Sequence, residues 1–258
     1  MILAVDIGNS NVVLGCLTND GIAFKARIAT DPIKTSDQYC VELKSMLELF
    51  HVDVGQIEGC IIASVVPPVL NSIRTAIRKL TIAPCIVVGP GIKTGLNILI
   101  DSPNQVGADL VVGAVAAWRS YGAPLIVVDM GTATTISVID RNGAFTGGCV
   151  CPGVKISMEA LTSRTAQLPG ISLDQPKKAI GRNTVDCMRS GIMLGAACML
   201  DGLIARMQEE LGYPAQVVLT GGIGKFILPM CRTEMIYDED LLLKGLRILY
   251  NENKKVDG

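Results

Sequence analysis

The chain has 258 residues, 49% hydrophobic and 18% charged, with a formal net charge of −1. That balance suits a well-buried globular protein of one large or two ordinary domains and excludes extended disorder. Scattered Lys and Arg and only 4% aromatic residues give no footprint for nucleic acid, no base-stacking platform and no patch for an anionic membrane.

The first apolar run, Ile2–Val5, is interrupted at once by Asp6. It is too short, and lacks the basic start, for a signal peptide. No stretch supplies the roughly 18 uncharged apolar residues of a membrane span, so the chain reads as cytoplasmic. Val12–Leu17 (VVLGCL) predicts a second strand and the alternating segment Gly21–Thr30 a third, together an antiparallel meander. Thr35–Phe50 predicts a helix with Ser36 as N-cap and an apolar face of Val41, Leu43, Met46, Leu47 and Phe50. Gly59–Pro68 reads as a buried strand stopped by two prolines, Val69–Leu80 as a helix and Pro84–Gly89 as a strand. Asn104–Ser120 predicts a helix carrying GADLVVGAVAAW.

Ala123–Asp140 (APLIVVDMGTATTISVID) then repeats the opening: strand, Asp-x-Gly turn, strand. Aligning Asp6 with Asp129 also aligns Gly8 with Gly131. The repeat divides the chain into halves at 1–120 and 121–258 built on one plan. Gly143–Val154 (GAFTGGCVCPGV) gives a glycine-rich hairpin arm and turn. Helices are expected at about Lys155–Leu161 and at Val185–Leu211, a strand with a glycine turn at Ala215–Gly224, and a closing helix at Asp238–Asn251. The order predicts mixed sheets covered by helices, with a ligand cleft between the halves.

Nine cysteines occur without a single CxxC; Cys149 and Cys151 flank one valine. They read as reduced thiols used as small hydrophobes. With His51 as the only histidine, neither a His-based metal site nor a Ser-His-Asp triad is available.

The chemistry therefore rests on the turns. Glycine admits a ligand close to the backbone, and Ser, Thr and turn amides donate to phosphate oxygens. An aspartate in that position is repelled by bare phosphate, so it belongs beside a cation. One Asp-x-Gly turn alone is an ordinary Asx turn; two at corresponding places, followed by LTGGIG (Leu219–Gly224), point to a nucleotide. Neither a GxGxxG nor a Walker motif is present.

DIGNSN from Asp6, DMGTATT from Asp129, GGCVCPGV, LTSRTAQLP, GRNTVDCMRSGI, LTGGIG and DEDLLLKGL occur in this order over nearly the whole chain. In these segments the sequence resembles the type III pantothenate kinases, Bvg accessory factor-like members of the actin, hexokinase and Hsp70 superfamily. The resemblance implies an α/β fold of duplicated ribonuclease H-like domains and ATP-dependent phosphorylation of pantothenate, the opening step of coenzyme A synthesis. It implies Asp109, in GADL, as general base, with Gly107, Ala108, Leu110 and Thr184 at the substrate and Thr184 acting across a homodimer interface. Asp6, Ile7, Gly8, Asn9, Ser10, Asn11, Val12 and Val13 would meet ATP and, at Asp6, its Mg2+. Thr132, Gly221 and Gly222 would also contact ATP, and Asp129 would hold K+ or NH4+. Read on their own, Asp109 is a first-turn carboxylate favoured by the helix dipole, and Asn183–Thr184 an N-cap pair.

Two positions depart from the family pattern: Leu110 replaces an arginine and Ile100 a tyrosine. Neither replacement can supply the lost charge or hydroxyl; Arg164 is a candidate to compensate. Two further readings stay open on this ground, a non-catalytic nucleotide- or partner-binding paralogue and a kinase for another small alcohol.

Overall fold

The computed structural model describes residues 1–254. In chain order the strands and helices are β1 (Ile2–Ile7), β2 (Asn11–Thr18), β3 (Gly21–Ala29), α1 (Ser36–Leu49), β4 (Gly59–Ser64), α2 (Pro67–Leu80), β5 (Cys85–Val87), β6 (Asn97–Ile98) and α3 (Ala108–Tyr121). There follow β7 (Leu125–Met130), β8 (Ala133–Ile139), β9 (Ala144–Pro152), α4 (Val154–Arg164), α5 (Thr184–Arg189), α6 (Gly195–Leu211), β10 (Gln216–Thr220), α7 (Gly224–Ile227), β11 (Ile236–Tyr237) and α8 (Leu241–Asn253). They form two compact units. One comprises Met1–Gly95, Asp101–Ala116 and the segment from Leu241; the other comprises Leu96–Ile100 and Ala117–Asp240.

In the first unit the sheet order is β3-β2-β1-β4-β5. β1 pairs antiparallel with β2 and parallel with β4. As the central strand it is covered on both faces, with Leu3, Ala4, Val5 and Ile7 all buried, which is why it reads as a continuous apolar run. Leu3, Val5 and Ile7 pack with Tyr39, Leu43 and Leu47 of α1 and Val69, Ile73 and Ile77 of α2. α8 meets the same sheet where Gly15 and Gly59 leave room: a β-carbon there would strike Leu243 and Tyr250 respectively.

The cap of α1 is Thr35 rather than Ser36. Its hydroxyl accepts from Gln38 N, and the Gln38 side chain accepts from Thr35 N at 2.8 Å, a reciprocal capping box. The buried row is Tyr39, Leu43 and Leu47, so Val41, 66% exposed, lies some 200° round the helix from Tyr39. Phe50 has also left the face, as the C-cap. Tyr39 can replace them because its hydroxyl is satisfied by both backbone groups of Asp31, at 2.9 Å each. His51 takes φ 55° just beyond the helix and donates its N–H to Glu48 O, a helix-ending conformation.

The second unit's sheet runs β11-β10-β7-β8-β9-β6. Without β6 this is the first sheet's order again: β7 pairs antiparallel with β8 and parallel with β10, as β1 does with β2 and β4. The duplicated α/β plan is thus present in both sheets. Ile126, Val128 and Met130 pack with Ile192, Met193, Ala197, Leu200 and Ile204.

The helix expected at Val185–Leu211 begins at Thr184 and is broken by a five-residue π-helical turn, Ser190–Leu194. By length and composition Thr184–Leu211 is apolar enough to cross a membrane, but its inward row belongs to the sheet's core. The helix expected from Asn104 starts at Ala108, after a short 3₁₀ turn at Pro103–Gln105 and an extended Val106. The packing units also differ from the sequence halves. α8 covers the first sheet, and Leu96–Ile100 lends β6 to the second.

Candidate active site

In the first unit, β1 delivers Asp6 and then the turn Gly8–Asn11. Gly8 N donates to Asn11 O at 3.0 Å, and Thr30 clamps the turn by donating its N–H to Ser10 O and its hydroxyl to Gly8 O, at 3.1 and 2.6 Å. Asn9, Ser10 and Asn11 are exposed and Asp6, Gly8 and Val13 half-buried. Ile7 and Val12, both fully buried, anchor the turn in the core, so they offer a ligand only backbone.

Asp109 lies in the first turn of α3. Its Oδ1 accepts from Leu110 N at 2.8 Å. A β-carbon on Gly107 would stand 2.5 Å from that oxygen and 3.7 Å from Val65 Cγ1, while Val65 N donates to Ile7 O. The chain Asp109, Gly107, Val65, Ile7 thus places the carboxylate near the ends of β1 and β4, where the Asp6 turn begins. Burial pushes its pKa up; donation from the Leu110 and Asp109 N–H groups offsets this only in part. Ala108 and Leu110 are half-buried beside it.

In the second unit, Asp129 precedes a tighter turn. Met130 pairs with Thr134 where Ile7 pairs with Val12, so one residue fewer intervenes and half-buried Thr132 stands at the tip. Gly131 N donates to Ala133 O at 3.0 Å, and a β-carbon on Gly131 would lie 3.9 Å from Asp129 Oδ1. The carboxylate therefore sits alongside the turn.

Two other turns close on this strand end. Gly221, at φ +93°, follows β10, and a β-carbon there would be 2.5 Å from Met130 O; Gly153, opening α4, would place one 2.1 Å from Thr132 O. Gly222 is exposed. Gly221 O accepts from Gly224 N and from the Tyr237 hydroxyl, which fixes its turn.

Register exposes residues that sequence reasoning missed. Asp129 lies directly between Thr135 on β8 and Thr220 on β10, whereas Asp6 lies between Val13 and Ala63. Side chains opposite one another share a face, so Asp129 has two hydroxyl neighbours across the strands. The third threonine of DMGTATT and the one opening TGG carried that signal, but only strand pairing identifies them as neighbours. Thr134 is a further surprise: it is 1% exposed and its hydroxyl has no hydrogen-bond partner.

Thr184 is the exposed first residue of α5. Asn183 caps that helix, its Oδ1 accepting from Asp186 N at 2.9 Å. Arg164 is exposed in the last turn of α4, and Ile100 is half-buried in the segment that carries β6.

Among the described residues no three His, Cys, Asp or Glu side chains converge as a metal cluster. The donors suit hard cations instead. A single carboxylate fits Mg2+ that arrives on nucleotide phosphates, and a carboxylate with hydroxyl and turn-carbonyl oxygens nearby fits a less exacting monovalent ion.

The family model for type III pantothenate kinase matches residues 2–206. A protein named type III pantothenate kinase from Exiguobacterium sp. is 44% identical over 255 residues, 99% of this chain and 100% of that protein. One of the same name from Exiguobacterium sibiricum is 45% identical over 98% of this chain and 100% of that protein. Among solved structures, the activator of the 2-hydroxyisocaproyl-CoA dehydratase from Clostridium difficile with bound ADPNP is similar, with a TM-score of 0.57 over 100% of this chain and 98% of that one. At 13% identity that likeness concerns the fold alone.

Proposed function

Because the chain belongs to the type III pantothenate kinase family, we propose that it transfers the γ-phosphoryl group of ATP to pantothenate in the cytoplasm. The product is 4'-phosphopantothenate, and the reaction opens coenzyme A biosynthesis. The observation that carries the mechanism is the half-buried carboxylate of Asp109 at the strand ends beside the Asp6 turn.

Asp109 acts as general base. It takes the proton of the attacking hydroxyl as that oxygen bonds to the γ-phosphorus and the bond to ADP breaks. A carboxylate raised from its ordinary pKa is a better proton acceptor than an exposed one. Asp6 and the amides of the Gly8–Asn11 turn hold the phosphates and their Mg2+; Thr132, Gly221 and Gly222 hold the nucleotide. Asp129, with Thr135 and Thr220 beside it, holds K+ or NH4+. When bound, these cations supply positive charge against the charge that develops on the phosphoryl oxygens.

Release of ADP by the purified protein with ATP, Mg2+ and K+ tests this reading. It is expected to depend on pantothenate, and its independence would overturn the assignment. In the same assay Thr135→Val, nearly isosteric, is expected to raise the half-saturating K+ concentration about threefold to tenfold, the effect of one lost oxygen donor, leaving the KM for pantothenate unchanged. An unaltered K+ response would remove Asp129 and its neighbours from the cation site.

Thr184 serves the active site of a second copy in a homodimer. The outward row Gly191, Gly195, Cys198, Gly202 and Ala205 supports this: all are exposed, spaced at helical intervals, and small enough for another helix to approach closely. A β-carbon at Gly195 or Gly202 meets nothing within 4 Å in one chain, so Gly195→Leu with Gly202→Leu is expected to leave the fold intact. Sedimentation should then show monomers without pantothenate kinase turnover; an active dimer would exclude this seam.

A further inference from the structure

The turn between β1 and β2 is held by a residue from the end of a third strand. Thr30 follows β3 (Gly21–Ala29) and reaches the turn with both its backbone and its side chain. Its N–H donates to Ser10 O at 3.1 Å and its hydroxyl to Gly8 O at 2.6 Å. These are the carbonyls that precede Asn9 and follow Ser10, the two exposed residues at the tip.

The direction of those two bonds has a chemical consequence. In a planar trans peptide the N–H points opposite to the C=O. With Gly8 O and Ser10 O turned toward Thr30, the Asn9 and Asn11 N–H groups of the same peptides point away from it. A carbonyl oxygen repels a phosphate, whereas a turn N–H donates to one. Thr30 thus occupies two competing oxygens and sets the orientation of two donors.

Thr30 is itself fixed. The Tyr39 hydroxyl accepts from Asp31 N and donates to Asp31 O, each at 2.9 Å, and the Asp31 carboxylate accepts from Ile33 N at 2.9 Å. Tyr39 is fully buried and belongs to the same apolar cluster as Ile7 and Val12, which flank the turn in β1 and β2. The turn is therefore tied to one core twice, directly through Ile7 and Val12, and again through Tyr39, Asp31 and Thr30.

We infer that Thr30 is a positioning residue for the phosphate-binding turn: it preorganises the Asn9 and Asn11 amides for the phosphates of ATP, and Tyr39 holds Thr30 in place through the Asp31 backbone. The inference rests on the reading of the Asp6 turn as a phosphate site. Thr30 takes no part in proton transfer. A turn already in its binding conformation spares the cost of ordering it around the ligand, so the effect falls on nucleotide affinity.

The test is binding of a non-hydrolysable ATP analogue with Mg2+ to the full-length protein, measured by titration calorimetry without pantothenate. Thr30→Val keeps the N–H and the shape of the side chain and removes the hydroxyl. Its Kd for the analogue is expected to rise roughly threefold to tenfold, the range of one hydrogen bond. The KM for ATP should rise in parallel while the KM for pantothenate stays where it is. Thr30→Ala is expected to match it and serves in its place if Thr30→Val does not fold. Thr30→Ser, which keeps the hydroxyl, should bind close to wild type, and Tyr39→Phe should raise the Kd in the same direction by less. Thr18→Val is the control. The Thr18 hydroxyl also donates to a glycine carbonyl, Gly21 O at 3.3 Å, but at the other end of β2, and its loss should leave the Kd unchanged. A Kd unaltered in Thr30→Val, or raised equally in Thr30→Ser or Thr18→Val, would overturn the positioning role; an unaltered Kd in Tyr39→Phe would remove Tyr39 from it. Wild-type protein that binds no nucleotide would overturn the reading of the Asp6 turn itself, and the role of Thr30 with it.

Discussion

Asp109→Asn is expected to lower kcat by about 10²- to 10⁴-fold, the usual contribution of a positioned general base. ATP binding should remain, because the residues assigned to the nucleotide lie on other turns. The substitution keeps the shape of the side chain and removes its ability to accept a proton. Its effect on stability should have the opposite sign. Burial holds the Asp109 pKa above the ordinary aspartate value, so the folded chain binds that proton more tightly than the unfolded chain does. Stability from this group is therefore fullest at low pH and declines as pH rises from the ordinary aspartate range through the raised native value. An asparagine carries no such penalty, and the variant should melt at the same temperature as wild type or higher at neutral pH. The wild-type kcat/KM should rise with pH on its acidic limb and level off once Asp109 is ionised. Turnover by the variant within about tenfold of wild type would exclude Asp109 as the base.

Gly221→Ala is expected to destabilise the protein by about 2–5 kcal/mol, combining a left-handed backbone at a non-glycine residue with a steric overlap. The two costs have separate origins. The backbone at Gly221 has φ +93°, and the new β-carbon would fall 2.5 Å from Met130 O. Met130 ends β7 one residue after Asp129, so relief of the overlap displaces the strand end that presents Asp129. Chemical denaturation should show the loss of stability, and the surviving folded protein should have a raised KM for ATP. Gly153→Ala should act in the same direction from the other side, since its β-carbon would overlap Thr132 O. A Gly221→Ala protein with wild-type stability would mean that these turns do not pack against one another.

Much of this molecule was legible in the order of its residues. Central strands announce themselves as apolar runs because both of their faces are covered, and the repeat of Asp-x-Gly turns made the duplication visible before any pairing was known. Both sheets bear it out, with β1 and β7 at equivalent places. The ordered motifs already pointed to the family to which the chain belongs.

What remained hidden depends on contacts between residues distant in sequence. Tyr39 replaces Val41 in the core because a backbone far from its own helix face satisfies its hydroxyl. The Thr35 cap is the exception: its reciprocal pair with Gln38 is local, and the sequence already carried that spacing. Thr135 and Thr220 become neighbours of Asp129 through strand register, and a shift of one residue would turn every side chain to the other face. The pairing of β6 with β9 and the return of α8 to the first sheet likewise follow from which surfaces remained to be covered. The sequence alone determined the period of the central strands, the two carboxylate turns and the ancestry. The tertiary structure decided which hydroxyls and glycines stand beside those turns, because such neighbours are set by register and packing rather than by position along the chain.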